Sequence, residues 1–289
     1  MEHRVDQPSS NAFGGISIGT CGYSFRDWVG SFYPPKTRSA EMLTYYARRF
    51  GAVELDVTYY RVPPRDAIER MAQRTPEHFL FTAKALAAAT HVPADAREPF
   101  SEEVPRLRES LMPLIDRGRL GCVLLQFPNA FRPGPAAERR LEALAEVYDG
   151  IPLVAEFRHR AWQAPATFDL LKHLGIGWCN VDEPDFERLM APSAEIVGPI
   201  GYVRFHGRNR AAWWGPDRAQ KFNYLYSAEE LAPWAARVAD LTAQAQRVFV
   251  FFNNCYAGKS AHNARDFARL LGLESGESEI PESLSLFDD

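Results

Sequence analysis

The sequence predicts an α/β fold: a single (β/α)8 TIM-like barrel with an irregular connection between its sixth and seventh strands. Two observations lead there. Eight short apolar runs recur along the chain, each closing on a polar or charged residue. Segments of helical periodicity alternate with them as far as Leu271. Strand and helix alternating in this way build a parallel sheet, and eight repeats are the number that closes it. A doubly wound open sheet is the runner-up.

The elements follow in order. The run Ile16 to Thr20 precedes an aromatic loop and a helix over Ser39 to Phe50. Ala52 to Thr58 leads to a helix over Arg65 to Arg74, and Phe79 to Lys84 to one over Glu102 to Arg117. Cys122 to Gln126 is followed by a helix over Ala136 to Tyr148, and Leu153 to Arg158 by one over Ala164 to Leu174. After Ile176 to Asp182 the pattern breaks, because Pro184, Pro192 and Pro199 leave room for only a short helix before Tyr202 to His206. Next comes the clearest helix, Ala228 to Ala245. Ser227 and Glu230 have capping-box spacing, and Leu231, Trp234, Val238 and Leu241 share one face. Val248 to Asn254 and a helix over Ser260 to Leu271 complete the set.

The 289 residues, 46% of them hydrophobic, suit one large barrel or two ordinary domains, and the even spacing favours one. The expected division is an N-terminal segment 1–15, a barrel 16–271 and an acidic tail 272–289; both ends lack apolar periodicity and are expected to be flexible. No apolar run approaches the roughly 20 residues that span a bilayer, and the first residues lack a signal-peptide stretch, so a cytoplasmic protein without a membrane partner is expected. Cys21, Cys122, Cys179 and Cys255 are far apart and form no metal knuckle or disulfide framework. A net charge of -4 argues against nucleic-acid binding through the whole surface.

Side chains two apart on a strand share a face. That parity predicts an inward set of Glu54, Asp56, Thr58, Thr82, Lys84, Gln126, Glu156, Arg158, Asn180, Asp182, Arg204, His206 and Asn253, with Val53, Leu55, Phe157, Val203 and Phe205 facing the helices. An internal ion-pair network would explain some of these residues. So many polar groups at the carboxyl ends of different strands are better explained by a site, since barrel enzymes place theirs there. Glu156, Asp182 and His206 are the expected catalytic residues, with Glu156 or Asp182 as base and His206 as acid. The expected substrate-binding residues are Glu54, Thr58, Tyr59, Lys84, Gln126, Arg158, Arg204, Arg208, Asn253 and Asn254.

Glu54, Glu156, Asp182 and His206 are types that ligate a divalent metal, but Lys84, Arg158 and Arg204 in the same mouth would repel it, so a metal is not favoured and the cofactor is open. The turn from Asn253 to Ser260 is expected to present helix N–H groups to a phosphate or carboxylate near Gly258. Aromatic loop residues (Tyr23, Phe25, Trp28, Tyr59, Tyr60, Trp162, Trp213 and Trp214) are mostly packing, and a minority would stack on a sugar or base.

Several segments together resemble a known family. They are Gly19-Thr20-Cys21-Gly22-Tyr23-Ser24, Thr58-Tyr59-Tyr60-Arg61, Phe79 to Lys84 with His91, Gln126-Phe127-Pro128, Glu156-Phe157-Arg158 with Trp162, Tyr202 to Arg208, and Phe252-Asn253-Asn254. These resemble the YecE-like family, a domain of unknown function, from about Ile16 to Leu271. The resemblance implies a TIM-like barrel and brings no activity with it. Cys21 stands where that family commonly has Ser, so a thiol nucleophile shared across the family is not implied. In the tail, Ser283-Leu284-Ser285-Leu286-Phe287 resembles the peptide that docks bacterial replication and repair proteins on the DNA sliding clamp. Leu284, Leu286 and Phe287 would be the anchors, with Ser283 replacing the usual Gln.

The function expected from these readings is a hydrolase or lyase acting on a phosphorylated or nucleotide-like anion. A non-catalytic protein recruited to the clamp is the first alternative, and a carbohydrate isomerase or glycoside hydrolase the second.

Overall fold

The computed structural model describes residues 15–93 and 100–273. Eight parallel strands, β1 (Ile16–Cys21), β2 (Ala52–Leu55), β3 (Leu80–Lys84), β4 (Leu120–Gln126), β5 (Leu153–Glu156), β6 (Ile176–Asp182), β7 (Ile200–Phe205) and β8 (Arg247–Phe252), pair in sequence order and close into a barrel through β8 and β1. Most strand residues are buried, as in a sheet covered on both faces. The covering helices are α1 (Ser39–Ala47), α2 (Arg65–Gln73), the single turn α3 (Ala87–Thr90), α4 (Glu103–Ile115), α5 (Pro135–Val147), α6 (Pro165–Leu174), the single turn α7 (Arg218–Lys221), α8 (Ala228–Thr242) and α9 (Lys259–Leu270).

Local chemistry sets the helix starts. Pro135 and Pro165 open α5 and α6, where a missing N–H loses nothing. Ser227 and Glu230 form the reciprocal capping box of α8, and Leu231, Trp234, Val238 and Leu241 bury its inner face. There Trp234 meets Phe205 of β7 at 5.1 Å between ring centres, and Phe205 stacks on Phe252 of β8 at 4.4 Å. This aromatic layer forms part of the core between strands and helices.

The connection from β6 to β7 contains no helix, although the three prolines leave room for a short one. Side chains of β6 and the residue after it pin it instead. Asn180 Oδ1 accepts from Ser193 Oγ and Glu195 N, its amide donates to the Glu195 carbonyl, and Glu183 Oε1 accepts from Met190 N.

Two expected strand features differ. β2 stops at Leu55 and the chain turns through a 3-10 helix, Asp56–Tyr59, so strand parity no longer places Asp56 and Thr58. On β6, Cys179 pairs with Tyr202 and Val181 with Arg204, while Asn180 and Asp182 pair with Val203 and Phe205. Asn180 and Asp182 therefore face outward, and the inner face of β6 carries the apolar residues.

Gly19 lies opposite Ala52 in the β1–β2 register, and a Cβ there would sit 1.9 Å from the Ala52 carbonyl oxygen. Gly19→Ala should therefore force the two strands apart and destabilise the barrel by about 3 kcal/mol. Urea unfolding would measure this; an unchanged midpoint would show that the strands are not so closely apposed.

Candidate functional site

One strand supplies a column of three polar side chains: Tyr202, Arg204 and, just past the end of β7, His206. At the lowest level the Tyr202 hydroxyl donates to Glu54 Oε2 at 2.7 Å and lies 3.0 Å from Thr82 Oγ1. Above it, Arg204 crosses the interior. Its Nη2 donates to Glu54 Oε1 at 2.6 Å and its Nη1 to Glu156 Oε2 at 2.5 Å. All three charged groups are shut off from water. At the top, Glu156 Oε1 faces Arg158 Nε at 2.6 Å and His206 Nε2 at 3.4 Å. Arg158 also reaches Glu183 Oε2 at 3.0 Å.

The hydrogen bonds assign the histidine tautomer. Asn253 Nδ2 lies 3.0 Å from His206 Nδ1 and Arg158 Nη2 lies 3.5 Å from it, and both are donors. Nδ1 is thus the acceptor, and the ring proton resides on Nε2, facing Glu156. Burial and the adjacent Arg158 hold the His206 pKa well below its ordinary value, so the ring is neutral near pH 7. Burial alone would raise the Glu156 carboxyl, but Arg158, Arg204 and His206 outweigh it and hold it well below the usual range. The site thus combines an ionised carboxylate, a neutral imidazole and two guanidinium groups. Burial pushes the Cys21 and Cys179 thiols up and Cys255 to about 12, so none is poised as a thiolate.

Glu54, Glu156, Arg158, Arg204, His206 and Asn253 thus form one connected group. Gln126 is paired in register with Glu156 at the end of β4. Lys84 and Tyr59 stand together at the rim, the ammonium 4.2 Å above the ring and 3.2 Å from Asp56 Oδ1.

Other expected members lie elsewhere. Thr58 Oγ1 donates to the carbonyls of Leu55 and Lys84, each at 2.6 Å, and so ties the ends of β2 and β3 together. Asn254 is buried against Asn263 and the Tyr224 carbonyl. Asp182, expected inside, belongs to the outer face. Its carboxylate accepts from Trp234 Nε1, the Tyr226 hydroxyl and the Nε and Nη2 of Arg208, so the fold fills its hydrogen-bonding capacity, and Arg208 is turned to Asp182 and Glu230. Asp27 fills the turn expected to cradle an anion by accepting from Ala257 N at 2.8 Å. Leu284, Leu286 and Phe287 lie outside the described residues.

Two partners escaped the sequence reading. Tyr202 shares the parity of Arg204 and His206, a usable signal. Glu183 follows a strand in a proline-broken segment, and nothing in its spacing points inward. Among the described residues no three His, Cys, Asp or Glu side chains are grouped so as to hold a metal ion. No described helix is long and apolar enough to cross a membrane.

The family model described as protein of unknown function DUF72 matches residues 17–284. The chain belongs to the DUF72 family. UPF0759 protein YunF of Bacillus subtilis (strain 168) is 33% identical over 289 residues, covering 94% of this chain and 100% of that protein. A DUF72 family structure from Thermotoga maritima MSB8 superposes with a TM-score of 0.83 at 36% identity, covering 89% of this chain and 99% of that one. Another, from Enterococcus faecalis V583, gives 0.77 at 26% identity, covering 89% and 96%. Membership in DUF72 agrees with the resemblance read from the motifs.

The neutral His206 of this DUF72 barrel makes stability depend on pH. Below about pH 6.5 an unfolded histidine takes up a proton that the folded barrel refuses, so stability falls with pH, by up to about 1.4 kcal/mol per unit for this group. His91, lowered to about 4 mainly by burial, acts in the same direction. His206→Asn should flatten the loss between about pH 6.5 and pH 5 in urea titrations. A slope equal to wild type would mean that the folded barrel accepts the proton.

Proposed function

We propose that the barrel is an enzyme of hydrolase or lyase type acting on a small anionic substrate, with Glu156 as its base. One observation carries this reading. Glu156 Oε1, Arg158 Nε and His206 Nε2 are buried and converge on one point, where Arg158 pairs with the carboxylate at 2.6 Å and His206 faces it at 3.4 Å, both out of line for regular hydrogen bonds. Buried polar atoms are almost always well aligned with their partners, so a buried charge cluster of imperfect hydrogen-bond geometry at the carboxyl end of a barrel supports a substrate role.

The chemistry follows from the charges. An anionic group that engages Arg158 draws a cation away from Glu156, and the carboxylate becomes more basic. Glu156 then takes a proton from water or from carbon, while the neutral His206 keeps its Nε2–H and hydrogen-bonds through it to the oxygen that gains negative charge. Arg204 stays with Glu54 and holds the other oxygen of Glu156. Asp182 takes no part in this scheme, because its carboxylate is committed to Trp234, Tyr226 and Arg208.

Turnover of a panel of phosphomonoesters and nucleotides tests the reading. Glu156→Gln keeps the shape and removes the base, and should lower turnover at least about a hundredfold while the protein still melts cooperatively. A folded Glu156→Gln protein with full turnover would remove Glu156 from the mechanism.

A second reading rests on the tail, where Leu284, Leu286 and Phe287 carry the spacing of a clamp-docking peptide. Deleting residues 283–289 should abolish binding to the bacterial sliding clamp in surface plasmon resonance and leave the barrel's melting unchanged. Clamp affinity equal to that of the full chain would refute it.

A further inference from the structure

At the rim, one group of side chains has chemistry that the scheme above leaves unused. His91 follows the single turn α3, its Nδ1 2.9 Å from Thr90 Oγ1. Its ring meets the Tyr59 ring edge-on, with centres 5.1 Å apart. Lys84 stands 4.2 Å above that same Tyr59 ring, so the aromatic face orients both groups. The Lys84 ammonium has three donors, and its hydrogen bond among the described residues is the 3.2 Å contact to Asp56, whose side chain is 35% exposed. Arg158, nine-tenths buried, is held at Glu156 by its Nε at 2.6 Å and at Glu183 by its Nη1 at 3.0 Å.

We propose that Lys84 and His91, gathered around the Tyr59 ring, form together with Arg158 a subsite for a phosphate group, free or carried by a substrate. This rests on the reading of the mouth as an anion-binding catalytic site, and names the chemical class of its ligand. Lys and Arg together suit a phosphate, which offers three acceptor oxygens and two negative charges. The field at His91 agrees with that choice. After burial, Lys84 and Arg158 lower its pKa to about 4, and the opposing influence of Glu156 is smaller. Asp56, Glu156 and Glu183 are the carboxylates paired with these cations. A bound dianion offsets the influence of Lys84 and Arg158, and His91 then takes a proton or donates a hydrogen bond to the phosphate.

The experiment is an NMR pH titration of the full chain labelled in histidine, with inorganic phosphate as the probe and His91→Gln to assign the resonance. Phosphate should raise the His91 pKa saturably by at least about one unit. Lys84→Met should weaken phosphate binding by about tenfold or more. Competition by adenosine 5′-monophosphate distinguishes the sources: tighter binding than phosphate identifies a carried group, equal binding the phosphate alone, and both support the subsite. A His91 titration unmoved by phosphate overturns it, as does a shift that persists undiminished in folded Lys84→Met. The wild-type titration stands even if a variant fails to fold. An unmoved His91 alongside Glu156-dependent turnover removes the subsite and keeps the catalytic reading, whereas phosphate binding without such turnover does the reverse.

Discussion

Arg204 is the group around which the barrel interior is arranged. A guanidinium at 1% exposure would be very unfavourable alone, since the effective penalty for burying an ion is several kcal/mol. The chain meets this by placing a carboxylate at each tip of the fork, Glu54 from β2 and Glu156 from β5. A lysine could not do the same, because a point charge lacks two diverging donors in a fixed plane. The bridge links three strands that do not adjoin one another and fixes their polar residues at one height. Tyr202 below and His206 above take their levels from the same strand, so β7 sets the vertical order of the site.

The two oxygens of Glu156 thereby acquire different duties. Oε2 is taken up by Arg204, and losing it would leave that guanidinium half-paired in the interior. Oε1 faces Arg158 at 2.6 Å and His206 at 3.4 Å. One carboxylate therefore serves the fold with one atom and is available to chemistry with the other. The same division adds to burial in keeping His206 neutral. The guanidinium that holds Glu156 ionised also opposes a second positive charge beside it.

The architecture was legible because the barrel repeats. Apolar runs and helical stretches alternate regularly enough for every strand to be placed, and the prolines after Asp182 mark the missing helix. The site was legible where strands keep their parity, as at Glu54, Glu156, Arg204 and His206. It failed where polarity was taken to mean inward. Asp182 is polar and faces out because α8 brings Trp234, and the loop before it brings Tyr226, to satisfy the carboxylate. Those partners lie 44 and 52 residues away in sequence, beyond any local pattern. Thr58 failed for another reason: β2 ends early, and a hydroxyl two residues into a 3-10 turn bonds to backbone carbonyls. Glu183 was missed because irregular chain has no period from which to infer a direction.

Glu183 also completes the charge balance. The buried cluster sets the guanidinium groups of Arg158 and Arg204 against the carboxylates of Glu54, Glu156 and Glu183, which leaves one negative charge in excess. Burial raises the Glu183 carboxyl despite Arg158, whereas Glu156 is held low. A proton entering the cluster therefore goes to Glu183 before Glu156. Protonated Glu183 neutralises the excess and loosens its hold on Arg158, while Glu156 keeps its charge. Arg204, held between the carboxylates of Glu54 and Glu156, is therefore the guanidinium less able to turn toward an incoming anion.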